Sequence, residues 1–128
     1  MTTQQEIWAL PNGSQFYRAD IHIHSYGASH DVSDETMTPL AIVETAIAQD
    51  LHVIALTDHN EISNVQEAMT AADQTSLYVV PAIELSTLQG HLLCYLPTFE
   101  ALQSFFGRLI PTALIIDLCA PNLSIRWT

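Results

Sequence analysis

The stretch Ala19-Asp20-Ile21-His22-Ile23-His24-Ser25 spaces one carboxylate and two imidazoles two residues apart. In an extended segment the side chains at i, i+2 and i+4 lie on one face. Neighbouring imidazoles on such a face can share a metal ion, and a nearby carboxylate can orient a ring nitrogen from behind. His30 follows in a polar stretch. Asp58 and His59 stand in Leu56-Thr57-Asp58-His59-Asn60, Glu84 in an apolar run and His91 directly after Gly90. Nitrogen and oxygen donors without thiolates suit zinc, manganese or iron. Each residue also has a plainer reading. A lone His-x-His is weak support for a metal site. Asp58 serves equally well as the cap of a turn at a strand end. His52, at a strand start with no partner pattern, reads as structural. Glu84 is more telling, because an ionised carboxylate is rarely buried unpaired. The chain offers only Arg18, Arg108 and Arg126, and no lysine, to 14 acids. Cations from outside are therefore the natural counter-charge.

The elements that must position these residues follow from local pattern. Phe16 to Ile23 alternates and carries β-formers, which predicts a strand. A long polar loop runs from Ser25 to Met37. Thr38-Pro39 supplies an N-cap and a first helical residue, and Leu40, Val43 and Ile47 predict an amphipathic helix over 39–49. His52 to Leu56 reads as a short buried strand. Ser63-Asn64-Val65-Gln66 has capping-box form and opens a helix to about Ala72. Leu77 to Leu85 predicts one strand, with Pro81 marking a bulge or an edge. His91 to Leu96 predicts another, paired with it either as a hairpin or as a parallel neighbour. Thr98 caps a third helix whose apolar stripe is Leu102, Phe105, Phe106 and Leu109. Alternating strands and helices predict an α/β fold, with helices covering a largely parallel sheet or partial barrel. Several strand ends then each deliver a ligand-type residue, as α/β sites usually require.

The chain has 128 residues, room for one domain. Its net charge of −11 argues against broad binding to nucleic-acid phosphates, which needs a basic stripe. A hydrophobic share of 48% and a mean hydropathy of +0.20 argue against disorder from lack of core material. The first residues show neither a basic start nor an apolar run, and no stretch approaches the roughly 20 apolar residues of a membrane helix. Cys94 and Cys119 form no C-x-x-C pair and read as small buried hydrophobes, which fits a cytoplasmic location. Residues 1–15 read as an irregular lead-in with a turn at Pro11-Asn12-Gly13.

Four stretches together resemble the polymerase-and-histidinol-phosphatase (PHP) family of metallophosphoesterases. They are Ala19 to Ser25, Ala55-Leu56-Thr57-Asp58-His59-Asn60, Pro81-Ala82-Ile83-Glu84-Leu85-Ser86 and Gly90-His91-Leu92-Leu93. Their order and spacing are similar too, over about residues 16–109. The resemblance implies a distorted β/α barrel holding two or three divalent ions at one face. It implies that His22 and His24 bind one ion, that Glu84 bridges two, and that His91 belongs to the second. His30 and His59 resemble ligands of a third, with Asp31 and Asp34 as nearby acidic substitutes for His30. Asp20 and Asp58 are expected behind these ligands, aligning imidazoles. The stretch Ala28-Ser29-His30-Asp31 most resembles PHP domains fused ahead of large ATPase-like proteins.

The implied activity is metal-assisted hydrolysis of a phosphate ester, the substrate a nucleotide, a nucleic-acid end or a small phosphate. PHP domains usually continue past this length and supply another histidine and a late Asp-x-His pair. The expectation here is an incomplete barrel at residues 16–110, its C-terminal part missing, followed by a tail at 111–128 that matches no family pattern. Two further readings follow from that incompleteness. One is a non-catalytic metal-binding fragment. The other is a module of a larger ATPase-linked nucleic-acid-processing complex. An incomplete barrel also leaves strand edges exposed, from which a homo-oligomer is expected.

Overall fold

The computed structural model describes Gln5, residues 16–87 and residues 89–113, with the backbone alone for 110–113. Apart from Gln5, the expected lead-in lies outside the described residues. So do Cys119 and the tail beyond Ala113. The elements run β1 (Ala19–Ile23), α1 (Pro39–Ala48), β2 (Val53–Leu56), α2 (Val65–Ala72), β3 (Tyr78–Val79), β4 (Ala82–Thr87), β5 (Gly90–Tyr95) and α3 (Phe99–Ala113). The fold is mixed α/β. Strands β1, β2 and β3 form a parallel sheet in that order, and β4 and β5 form an antiparallel hairpin. Among the described residues no helix is long and apolar enough to cross a membrane.

Local chemistry sets the ends of α1. Thr38 accepts a hydrogen bond from the Ala41 N–H at 3.2 Å, and Pro39 takes the first helical position. At the other end Asp50 adopts a left-handed φ of 55°. The Leu51 N–H donates to the Ala46 carbonyl and the Asp50 N–H to that of Ile47, the bond pattern of a Schellman motif. The buried face differs from the expected stripe: Ile42, Val43 and Ala46 face the core, while Leu40 and Ile47 are exposed. Both sides of this helix carry aliphatics, so spacing alone does not choose between them. Packing against α2 and the sheet does.

The strand expected over Leu77 to Leu85 is divided at Val80-Pro81. The Val80 N–H still donates to the Ile54 carbonyl, but Pro81 has no N–H to continue the ladder. The chain leaves β2 there and begins the hairpin, whose register pairs Glu84 with Leu93 and Ser86 with His91. Gly90, at φ 133°, closes the turn in a conformation that favours glycine. Of the two alternatives for this pair of strands, the hairpin is the one formed. His52 extends the β1–β2 pairing at the end away from Glu84: its N–H donates to the Arg18 carbonyl and its Nδ1 accepts from the Arg18 N–H.

The core lies between the sheet and the helices, centred on Val43, Ile54, Leu56, Val65, Ile83 and Leu102. α3 begins as expected, with the Ala101 N–H donating to the Thr98 hydroxyl. Its Leu102 and Leu109 are buried, and Phe105 and Phe106 pack partly against the same core. The helix runs through residue 110 to Ala113.

Candidate metal centre

Glu84 is the centre of the site. It lies on β4, is buried, and its carboxylate meets four imidazoles: Oε2 is 3.0 Å from His22 Nε2, 2.7 Å from His24 Nε2 and 3.8 Å from His59 Nδ1, and Oε1 is 2.9 Å from His91 Nδ1. His22 comes from β1, His24 from just past its end and His91 from the start of β5. His59 comes from the segment after β2, which pairs with β4 through a bridge between His59 and Glu84. Its ring packs 4.5 Å from that of His24 and 4.7 Å from that of His91, centroid to centroid.

The loop after β1 adds an acid. Asp31 Oδ2 lies 2.8 Å from His24 Nδ1 and 3.5 Å from His59 Nε2. The buried Ser29 hydroxyl donates to Asp31 Oδ1 and turns that carboxylate inward. His30, between these two residues, is exposed. Its ring lies 5.0 Å from that of His59, and it stands outside the ligand groups that form around Glu84 and Asp31. The local turn thus sends Asp31, rather than His30, into the cluster. Asp34 is spent on its own turn, accepting from the Thr36 N–H and hydroxyl.

The two acids expected to align imidazoles do other work. The register of β1 on β2 shifts between Asp20 and Ile23, so Asp20 does not continue the face that carries His22 and His24. Its carboxylate instead accepts from the His22 backbone N–H at 3.3 Å. Asp58 is fully buried, and its hydrogen bonds go to Ser25 rather than to an imidazole. It accepts from the Ser25 N–H at 2.5 Å and from the Ser25 hydroxyl at 2.6 Å. Asn64 completes this knot by donating to the Ser25 hydroxyl and the Tyr26 carbonyl. The residue after His24 is thereby tied to the residue before His59. Sequence reasoning missed Ser25, Ser29 and Asn64. The one available signal was a run of small polar residues beside ligand-type ones.

Charge and burial act against each other throughout. Burial disfavours the charged Glu84, but its hydrogen bonds from His22 and His24 outweigh this and hold its pKa below the usual value. Burial likewise opposes the protonated form of His24, and hydrogen bonds to Asp31 and Glu84 raise its pKa nonetheless. Asp31 is held down to about 2, its desolvation outweighed by hydrogen bonds with Ser29 and His24. Burial pushes His59 down and Asp58 up.

Three groups of ligand atoms, each within 4.8 Å of one another, result: His22, His24 and Glu84; His24, Asp31 and His59; His59, Glu84 and His91. His59 Nδ1 is buried with no hydrogen-bond partner. An imidazole nitrogen without a hydrogen bond, 3.8 Å from the Glu84 carboxylate, is placed where an ion could become its partner, and this donor set fits divalent ions.

The family description "PHP domain" matches residues 20–108. The 5'-3' exoribonuclease of Haemophilus influenzae is 35% identical over 68 residues, which are 53% of this chain and 23% of that protein. A protein assigned as a metal-dependent phosphoesterase from Bifidobacterium adolescentis has a similar structure, with a TM-score of 0.55, 28% identity and coverage of 77% of this chain and 35% of its own. An amidohydrolase from Chromobacterium violaceum, solved with bound sulfate and no metal, gives a TM-score of 0.54 at 26% identity over 77% of this chain and 35% of its own. The chain thus spans about a quarter of the curated relative's length and about a third of each solved one.

Proposed function

The chain belongs to the PHP domain family, and from that premise we propose that it is a metal-dependent hydrolase of phosphate esters. The observation that carries this reading is the sharing of ligands. Glu84 belongs to two of the three groups and offers its two oxygens to different imidazoles, while His24 and His59 each belong to two. Shared ligands would hold their ions close enough to act on one substrate. We read the two sheets, joined at the His59–Glu84 bridge, as part of a distorted β/α barrel with this cluster at one face.

Residues of this chain would divide the work as follows. His22, His24 and Glu84 would hold one divalent ion, His59, Glu84 and His91 a second, and His24, Asp31 and His59 a third. Zinc, manganese and iron all suit these donors. Bound ions supply Lewis acidity and make hydroxide available near neutral pH. The Ser25–Asp58–Asn64 knot holds the loop bearing Asp31 against the segment bearing His59, so the ligands are placed before any ion arrives. At a net charge of −11 the protein repels an anionic substrate, and divalent ions held around Glu84 would supply the opposing local charge. The names of the exoribonuclease and phosphoesterase relatives support a phosphate ester, with a nucleic-acid end as the favoured substrate class.

Elemental analysis of the purified chain, with turnover of a chromogenic phosphate diester and monoester in added manganese, tests the proposal. Two or more ions per chain together with turnover are expected. Ions without turnover would instead favour a metal-holding module, a reading that draws on the openness of the cluster: His22 and His91 side chains are 52% and 54% exposed. A chain that binds no ion would end both readings.

A further inference from the structure

The hairpin that carries Glu84 and His91 belongs to a different sheet from the strands that lead to His22 and His59. Something must fix one against the other to within the tolerance of a ligand cluster. Asn60 makes the join at both backbone and side chain. Its N–H donates to the Glu84 carbonyl at 2.8 Å, alongside the bond from the Glu84 N–H to the Asp58 carbonyl at 3.1 Å. Its side-chain Nδ2 donates to the Ser86 hydroxyl at 3.2 Å, and its Oδ1 accepts from the Ser86 N–H at 3.0 Å. Ser86 stands directly opposite His91 in the hairpin register. One side chain thus grips the strand beyond Glu84, at the rung that bears His91, from the residue next to His59.

The backbone explains why asparagine suits the position. Asn60 has a left-handed φ of 52°, which asparagine, aspartate and glycine adopt more readily than other residues. Of these, glycine has no side chain to reach Ser86. Asparagine brings an acceptor for the Ser86 N–H and a donor for its hydroxyl.

We infer that Asn60 is a positioning residue: by clamping Ser86 it sets the separation of His59 from Glu84 and His91, and so the affinity of that triad for its ion. The inference rests on the metal-centre reading above. Groups that orient metal ligands from behind typically contribute about 10-fold to 100-fold in affinity.

The test is titration of the metal-free full chain with zinc and with cobalt, following stoichiometry, affinity and the cobalt absorption spectrum. Asn60→Gly keeps the φ and removes the clamp. It is expected to weaken one class of ion by about 10-fold or more and to alter the cobalt spectrum, with the far-ultraviolet circular dichroism of the wild type. Asn60→Asp keeps the acceptor for the Ser86 N–H, and the Ser86 hydroxyl can turn to donate to it. This variant is expected to restore most of the lost affinity. A purely structural role would move the unfolding midpoint without this pattern of loss and rescue. Should Asn60→Gly fail to fold, Ser86→Ala removes one half of the grip without touching the left-handed residue, and weaker binding is again expected. Wild-type affinity in Asn60→Gly, or in Ser86→Ala where that variant stands in, overturns the inference alone, as does an Asn60→Asp no better than Asn60→Gly. Absence of binding by the wild-type chain overturns the metal-centre reading, and the inference with it.

Discussion

Glu84 gathers imidazoles from distant parts of the chain around one buried carboxylate. Four imidazoles lie within 3.8 Å of its two oxygens, and we propose it as the ligand that two ions would share. His22→Ala and Glu84→Ala are each expected to lower metal content and phosphate-ester turnover together, with Glu84→Ala the more severe because two groups share that residue. Unchanged stoichiometry in both would count against the assignment. Asp31 and His30 make a sharper pair. Asp31→Asn is expected to weaken ion binding, and His30→Asn to leave stoichiometry intact; elemental analysis of the two variants decides between acid and imidazole in this loop. Asp31 also gives an acid signature. Its pKa lies at about 2 in the folded chain against an ordinary 3.8, so the unfolded chain binds more protons between those values. The stability that Asp31 contributes is present above 3.8 and is lost as pH falls through about 2. Unfolding of the metal-free protein should therefore show an acid limb that Asp31→Asn flattens.

At the scale of elements, the site depends on where strands stop. Pro81 halts the parallel ladder after Val80, and the hairpin that follows brings Glu84 beside His59 instead of further along β3. α1 is set by both its ends. Its first turn was legible, since Thr38-Pro39 acts locally. Its buried face was not, because Leu40 and Ile47 are as apolar as the residues that replaced them in the core. The capping box expected at Ser63 is not used: Asn64 is the cap position, and its amide is spent on Ser25 and Tyr26 across the loop. The left-handed Asp50 is a place where the helix end can be improved. Asp50→Gly is expected to raise stability by about 0.5–1 kcal/mol, through relief at positive φ and one acid fewer. Urea unfolding of the metal-free chain measures it.

For the molecule as a whole, the described strands leave several edges. β1 and β3 each pair only with β2, and β5 only with β4, among the described residues. The Tyr95 hydroxyl of β5 donates to the Ile21 carbonyl of β1 at 2.7 Å. Ile21, Leu92 and Tyr95 are exposed beside it. Such edges invite pairing with further strands, and we propose that this chain self-associates through them. Sedimentation at rising concentration is expected to show growing association. A single monomeric species throughout would contradict it.

The sequence by itself determined which residues have side chains able to ligate an ion, and most element identities, because both are local. Imidazoles on alternate strand positions, Thr38-Pro39, Thr98 and the apolar stripe of α3 need no distant partner to be read. It also marked Glu84, through the arithmetic of 14 acids and three bases. Only the tertiary structure decided which of two adjacent residues, His30 or Asp31, turns inward, and that Asp20 leaves the face of His22. It alone showed that Asp58 serves Ser25 and that Asn60 grips Ser86. The Asp58–Ser25 and Asn60–Ser86 bonds join residues 33 and 26 apart in the chain, Asp20 is moved by a register shift, and Asp31 is turned by side-chain hydrogen bonds with Ser29 and His24 that residue type alone does not foretell.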